Sequence, residues 1–305
     1  MRNLFLLIIL SFSYNSIFAT TYPITPRPLR KLVIESDAAI VGKVISVTDK
    51  VYEGKKKKNV YYPSYKVAKI AVVEILQGEM KDNTIEILFE PNMICPSSDM
   101  YYENTSVIAF LDIRNGKYST HALSYGSKTL DSIGISIYKT RISEIQKILK
   151  ITDSISKRTE TIEWLVKCAE KEATSWEGVF ELMDYKEFSN SLNNNFSRDL
   201  NKEQKIRLKT AFLNSLKQPF YDFNLSDLIY EENKSEIDSI LLERLKNLSE
   251  EDYYYAADYI DRLKYKNTSE EMKILLKRYY EIRFEEKDVS ERNKIVVRFI
   301  ASIDK

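Results

Sequence analysis

One histidine, two cysteines, seven glycines and seven prolines are all that this chain of 305 residues holds of those types. Each shortage closes off a chemistry. A lone His121 cannot build a multi-histidine zinc site, and Cys95 and Cys168 lack the C-x-x-C spacing that would replace it. There is no G-x-G-x-x-G, Walker A or H-E-x-x-H, and no G-x-S-x-G elbow. No D-x-D-x-D-G loop gathers oxygen ligands for calcium. The expected metal ligands, cofactors and catalytic residues are therefore none. A net charge of only +1 removes the general electrostatic case for nucleic acid or an anionic membrane as partner.

Long apolar runs are also scarce. The one at the N-terminus, MRNLFLLIILSFSYNSIFAT, places Arg2 ahead of Leu4–Leu10 and ends in Ile17-Phe18-Ala19. This is the layout of a cleavable secretory signal over residues 1–19, cut between Ala19 and Thr20. It is too short for a comfortable membrane span, which needs roughly 20 apolar residues, and no later segment is apolar enough to serve. The expected product is exported, to the periplasm or outside the cell, with no membrane span once the signal is removed. In an oxidising compartment Cys95 and Cys168 have one intramolecular pairing open to them. Two separate buried thiols are the alternative, and the sequence leaves the choice open.

From Ala38 to about Gly126 the pattern is that of strands. They are expected at Ala39–Val47, with Gly42 suggesting a bulge, at Tyr65–Leu76, and at Thr84–Phe89 before Pro91. Val107–Ile113 and Lys117–Leu123 flank Asn115-Gly116, the strongest hairpin signal in the chain. Five strands in this span, with a long first connection, predict a small barrel of the OB type over residues 20–135.

The order SDAAIVGKVISV … VAKIAVVEILQG … TIEILFE … C … SVIAFLDIRNGKYST resembles the OB-like domain of netrin modules and tissue inhibitors of metalloproteinases. In those, a GKV first strand precedes a second strand ending V-x-x-V-x-x-G. The likeness runs from Leu32 to about Leu130. Those inhibitors act through a mature N-terminal cysteine whose amine and carbonyl bind the protease zinc. Here the expected mature start is Thr20-Thr21-Tyr22-Pro23, with no cysteine before Cys95, so that mechanism does not carry over.

After Ser136 the period becomes helical. Ile142, Ile145, Ile148 and Leu149 predict a connector helix, assigned to residues 136–155. An all-helical domain is expected over 156–305, either an irregular α-solenoid or simply an irregular helical domain. Capping signals at Thr174–Glu177, Asn201/Gln204, Thr268/Glu271 and Asp288/Glu291 precede apolar stripes there. Trp164 with Cys168, and Trp176 with Phe180, are spaced to share helix faces and form a core. The fold class is thus α+β in two domains, a five-stranded OB-like barrel and then helices.

Few residues invite a functional reading. Ser136 and Lys139 fit S-x-x-K but lack the companion elements of that chemistry. His121 falls in the predicted fifth strand and is expected at the surface or the barrel rim. Tyr253–Tyr255 and Tyr279-Tyr280 are expected to pack, because adjacent helical positions point about 100° apart. Lys55, Lys56, Lys57 and Lys58, followed by Tyr61 and Tyr62, occupy the loop between the first two predicted strands, which on an OB barrel contacts ligands. The expectation is an exported, non-catalytic protein-interaction module whose partner is another protein. The alternative is a secreted hydrolase with a carboxylate or serine site between the domains.

Overall fold

The computed structural model describes residues 25–50, 64–93, 97–183, 195–215 and 219–303, without the side chains of 219–222. The chain divides into two compact units, Met1–Lys150 and Ile151–Lys305.

The first unit opens on a helix that strand patterning gave no reason to expect. α1 (Leu29–Glu35) follows Pro28 and buries Leu29, Leu32 and Val33, an i, i+3, i+4 stripe. Strands β1 (Ala38–Asp49), β2 (Lys66–Gln77), β3 (Thr84–Phe89), β4 (Ser106–Arg114) and β5 (Lys117–Thr120) come next. They close into a barrel in the order β1-β2-β3-β5-β4, with β4 pairing back onto β1. All pairings are antiparallel except β3–β5. Five strands in this closed, mixed order are compatible with an OB-like barrel. A short sixth strand, β6 (Ser127–Thr129), lies along β4 opposite β1.

Side-chain alternation sorts the strands into two apolar layers. Ile40, Val44, Ala68, Ile70, Ile85, Ile87, Val107, Ala109 and Leu111 fill the barrel. The intervening Ala39, Val41, Ile108 and Phe110 are buried as well. They lie on the side where α2 (Ser132–Leu149) packs on β4 and α1 packs on α2. α2 begins four residues before the expected connector and is capped by Asp131, whose carboxylate accepts from Gly134 N. Its buried Tyr138, Ile142, Ile145 and Ile148 match the predicted stripe, and Gln146 Nε2 donates to the Leu76 carbonyl of β2.

Local chemistry fixes the details. The β1–β2 register shifts between Val41 and Gly42 and again between Val44 and Ser46, so the predicted irregularity at Gly42 is present. A Cβ there would fall 2.4 Å from Ile70 Cγ2, which is why glycine occupies the position. Asn115 and Gly116 both have positive φ, as a two-residue primed turn requires. β5 stops at Thr120, short of the expected Leu123, because Ala122 and Leu123 adopt left-handed backbone and turn the chain away.

The second unit is helical. It contains α3 (Ser154–Ala169), α4 (Ser175–Leu182), α5 (Lys202–Asn214), α6 (Pro219–Lys246), α7 (Ala256–Leu263), α8 (Glu270–Ile282) and α9 (Val289–Ile303). Packing is mostly between sequence neighbours, α3 on α4, α5 on α6, α6 on α7 and α8 on α9. α6 kinks at Asn233, whose backbone is non-helical and whose Nδ2 donates to the Ile229 carbonyl. The predicted capping box at Asn201 and Gln204 is formed. At α8 the cap is Ser269, one residue beyond the expected Thr268. Trp164 and Cys168 are buried on α3, and the Trp176 and Phe180 rings of α4 stack at 5.1 Å. α3 and α4 approach so closely that a Cβ on Gly178 would lie 2.3 Å from the Leu165 carbonyl oxygen. Among the described residues no helix is long and apolar enough to cross a membrane.

Candidate functional site

Among the described residues polar chemistry concentrates in several places. The first is the turn after β5. Asp112 of β4 pairs with Ser119 across the hairpin, which puts His121 on the diagonal position two residues further along. There His121 Nδ1 lies 2.8 Å from Asp112 Oδ1. On its other side Nε2 faces Glu35 Oε2 of α1 at 3.5 Å. The ring is mostly buried, with 16% of the side chain exposed, in the turn that follows β5. The turn itself is tight: a Cβ on Gly126 would sit 1.9 Å from the His121 carbonyl oxygen.

The second place lies beneath the segment between β3 and β4. Asp99 is 3% exposed and accepts from Ser98 Oγ at 2.9 Å and from Thr120 Oγ1. Tyr101 Oη shares a hydrogen with Thr120 Oγ1 at 2.6 Å, and its ring meets Phe89 edge-on. Burial pushes the Asp99 carboxyl above its ordinary range, against the lowering effect of the Thr120 and Ser98 hydroxyls. Burial, with the neighbouring Asp99 charge, pushes the Tyr101 hydroxyl upward as well. The chain Ser98–Asp99–Thr120–Tyr101 is closed on itself and holds the segment down on the barrel. It presents no nucleophile to solvent.

The third place is the helical surface. Arg207 Nε and Nη2 both meet the Glu170 carboxylate at 2.7 Å while Nη1 meets Glu163 at 2.7 Å. Hydrogen bonds to Glu170 and Glu163 raise the guanidinium further above its ordinary range. Burial works to raise the Glu163 carboxyl, but hydrogen bonds from Arg207 and Gln204 outweigh it and the net direction is down. Nearby, Ser154, Ile155, Arg158, Thr159, Asp199 and Gln204 border a groove of about 410 Å³. Its charged and amide side chains are already engaged: Arg158 bonds Asp199 at 2.6 Å, and Gln204 bonds Asn201 and Glu163.

The residues singled out by sequence distribute as follows. Lys55, Lys56, Lys57, Lys58, Tyr61 and Tyr62 lie outside the described residues, as do Ala19, Thr20 and Cys95. Their roots are described: β1 ends at Asp49 and β2 begins at Lys66, and these two are ion-paired at 3.6 Å. Tyr65, just before β2, is 38% exposed. Cys168 is fully buried in α3, and the Thr174 hydroxyl donates to its carbonyl at 2.9 Å. Ser136 and Lys139 do share a helix, but Lys139 Nζ is engaged by Glu74 Oε2 of β2 at 2.5 Å. Tyr279 is buried and donates to the Tyr253 carbonyl at 2.9 Å, and Tyr280 donates to Asp261 at 2.8 Å. Among the described residues no group of three or more His, Cys, Asp or Glu side chains is arranged to hold a metal.

Sequence reasoning missed Glu35, Asp112 and the Asp99 chain. Asp112 was within reach, since the Asn115-Gly116 turn fixes the hairpin register and hence the diagonal to His121. Glu35 and Asp99 meet their partners only through tertiary packing. No protein-family model matches the chain, and no curated protein matches its sequence.

Proposed function

We propose that this protein is an exported interaction module that binds another protein through the barrel, at the β1–β2 connection and the adjoining outer face. The observation that carries the reading is how the barrel spends its two surfaces. Its interior is filled by its own Ile, Val, Leu and Ala side chains, while Ile45, Val73, Ile75 and Leu88 on β1, β2 and β3 stand 43–66% exposed. Apolar side chains left in water on the outer face of these strands are the composition of a protein-binding surface. The signal-like sequence of residues 1–19 supports a setting outside the cytoplasm. The netrin-like and inhibitor-like character of the barrel rests on the strand motifs quoted above.

Replacing Lys55, Lys56, Lys57 and Lys58 together with Ser tests the assignment. Capture of a protein partner from native cell-envelope extract is expected to weaken, and its dependence on salt to flatten. Stability should stay within about 0.5 kcal/mol, as for surface changes generally. Undiminished capture would remove this loop from the interface, and hydrolytic turnover by the purified chain would remove the non-catalytic reading.

A further inference from the structure

We propose that the bend in α6 is a conformational device set by the buried carboxylate of Asp238, which clamps the two limbs of that helix together. Nothing in the sequence from Phe220 to Lys246 obliges a break, since the stretch holds no glycine and no proline. Yet the backbone leaves helical geometry at Asn233, with φ −133° and ψ 22°. Tyr230 stands on the limb before that point and Asp238 on the limb after it. The Tyr230 hydroxyl donates to Asp238 Oδ1 across the bend at 3.0 Å. Eight residues of straight helix rise about 12 Å, and helical side chains lean toward the N-terminus, so Tyr230 would lean away from Asp238. The bond closes when the helix folds toward that face.

Burial makes the clamp firm. Asp238 is 2% exposed, and a sealed carboxylate left short of donors is costly. Tyr265, in the turn Lys264–Lys266 after α7, donates to Oδ2, and Lys266 Nζ lies 3.4 Å from the same oxygen. Lys234 Nζ, on the second limb, sits 4.4 Å from the centre of the Tyr265 ring. Straightening α6 would take the Tyr230 donor away from Oδ1. Two other features flank the bend. Asn233 Nδ2 takes the Ile229 carbonyl, the acceptor that a helical Asn233 N–H would use, so this side chain repairs a ladder already broken. Lys205–Glu232 and Lys209–Glu236 reach across from α5, but both glutamates are half exposed or more and water screens them. The first limb carries Asp227, Ile229 and Glu232, which line a groove together with Arg198 and Lys205. The clamp thereby sets how that wall of the groove stands.

Residual dipolar couplings of the amides on the two limbs, measured in the full chain, read the angle between them, and the Cα shift of Asn233 reads its backbone. Asp238→Leu keeps the bulk and removes the acceptor. In it the angle is expected to fall below the roughly 20° that marks a kink, with the Asn233 shift moving into the helical range. Tyr230→Phe keeps the ring and removes only the donor that crosses the bend, so it covers the case in which Asp238→Leu does not fold. Its Asn233 shift should move in the same direction. Asn233→Ala leaves the clamp intact and should stay bent, although alanine is the better helix former. An unchanged bend in Asp238→Leu or, should that chain not fold, an unchanged Asn233 shift in Tyr230→Phe would overturn the clamp. A straight α6 in Asn233→Ala would do so as well.

Discussion

In the barrel unit the Asp99 carboxyl is sealed inside the fold with Thr120 and Tyr101, whereas in the helical unit Glu163 and Glu170 lie near the surface under one guanidinium. The same contrast recurs. The barrel carries a mostly buried histidine between two acids, and the helices carry half-exposed pairs such as Lys209–Glu236, Arg262–Asp227 and Arg278–Glu291. Glu177, Glu181, Asp238 and Arg292 depart from it: all four are buried, Asp238 beneath Tyr230, Tyr265 and Lys266. The difference teaches that a sealed and a surface carboxyl, Asp99 and Glu163, respond to protons with opposite sign. Asp99 favours the barrel when protonated, and Glu163 favours the helical unit when ionised.

The sharpest way to break the comparison is to damage one unit and watch the other. Trp164→Ala empties a fully buried indole site in α3 and should destabilise the helical unit by about 3–5 kcal/mol. Denaturant unfolding with hydrogen exchange resolved by residue should show the barrel amides unchanged. A joint loss would mean that the units do not unfold separately.

Asp99→Asn sharpens the pH contrast. A carboxyl raised by burial binds protons more tightly folded than unfolded, so its contribution is full below the ordinary aspartate range. That contribution is lost as pH rises through the folded value. The barrel's denaturation midpoint should therefore fall from about pH 4 upward, and Asn should remove that slope at a cost or gain of about 1 kcal/mol at neutral pH.

Arg207→Ala is the smaller counterpart. Glu163 is held below its ordinary range, so its share of stability is present above the unfolded glutamate value and lost as pH falls through the folded one. The site is 28% exposed and water screens it, which limits the expected loss to about 1 kcal/mol or less. The acid limb of the helical unit's stability curve should flatten in the variant. An unchanged limb would assign the acid sensitivity to other carboxylates.

Much of the architecture was legible because it is written in local signals. Asn115-Gly116 fixed the hairpin, the Ile and Val alternation fixed the strands, and Asn201 with Gln204 fixed the start of α5. α1 was hidden because seven residues with only Leu29, Leu32 and Val33 as a stripe look like a loop before a strand. β6 is three residues long and has no periodicity to read. The polar clusters were the least visible. Glu35 is 86 residues from His121, and Asp99 is 21 from Thr120, so only the closed barrel order brings them together. The retention of an uncommon left-handed pair, Ala122 and Leu123, directly after His121 is likewise a tertiary demand that no propensity signals.

The claim that the barrel is the binding unit is tested most directly by photo-crosslinking from one exposed position in each unit. A photoreactive residue replaces Tyr65 at the root of the β1–β2 connection in one chain and Ile155, 76% exposed beside the helical groove, in another. Irradiation in native envelope extract should give a protein adduct from position 65 that disappears in the chain lacking Lys55–Lys58, and none from position 155. An adduct from position 155 alone would place binding in the helical unit and contradict the account.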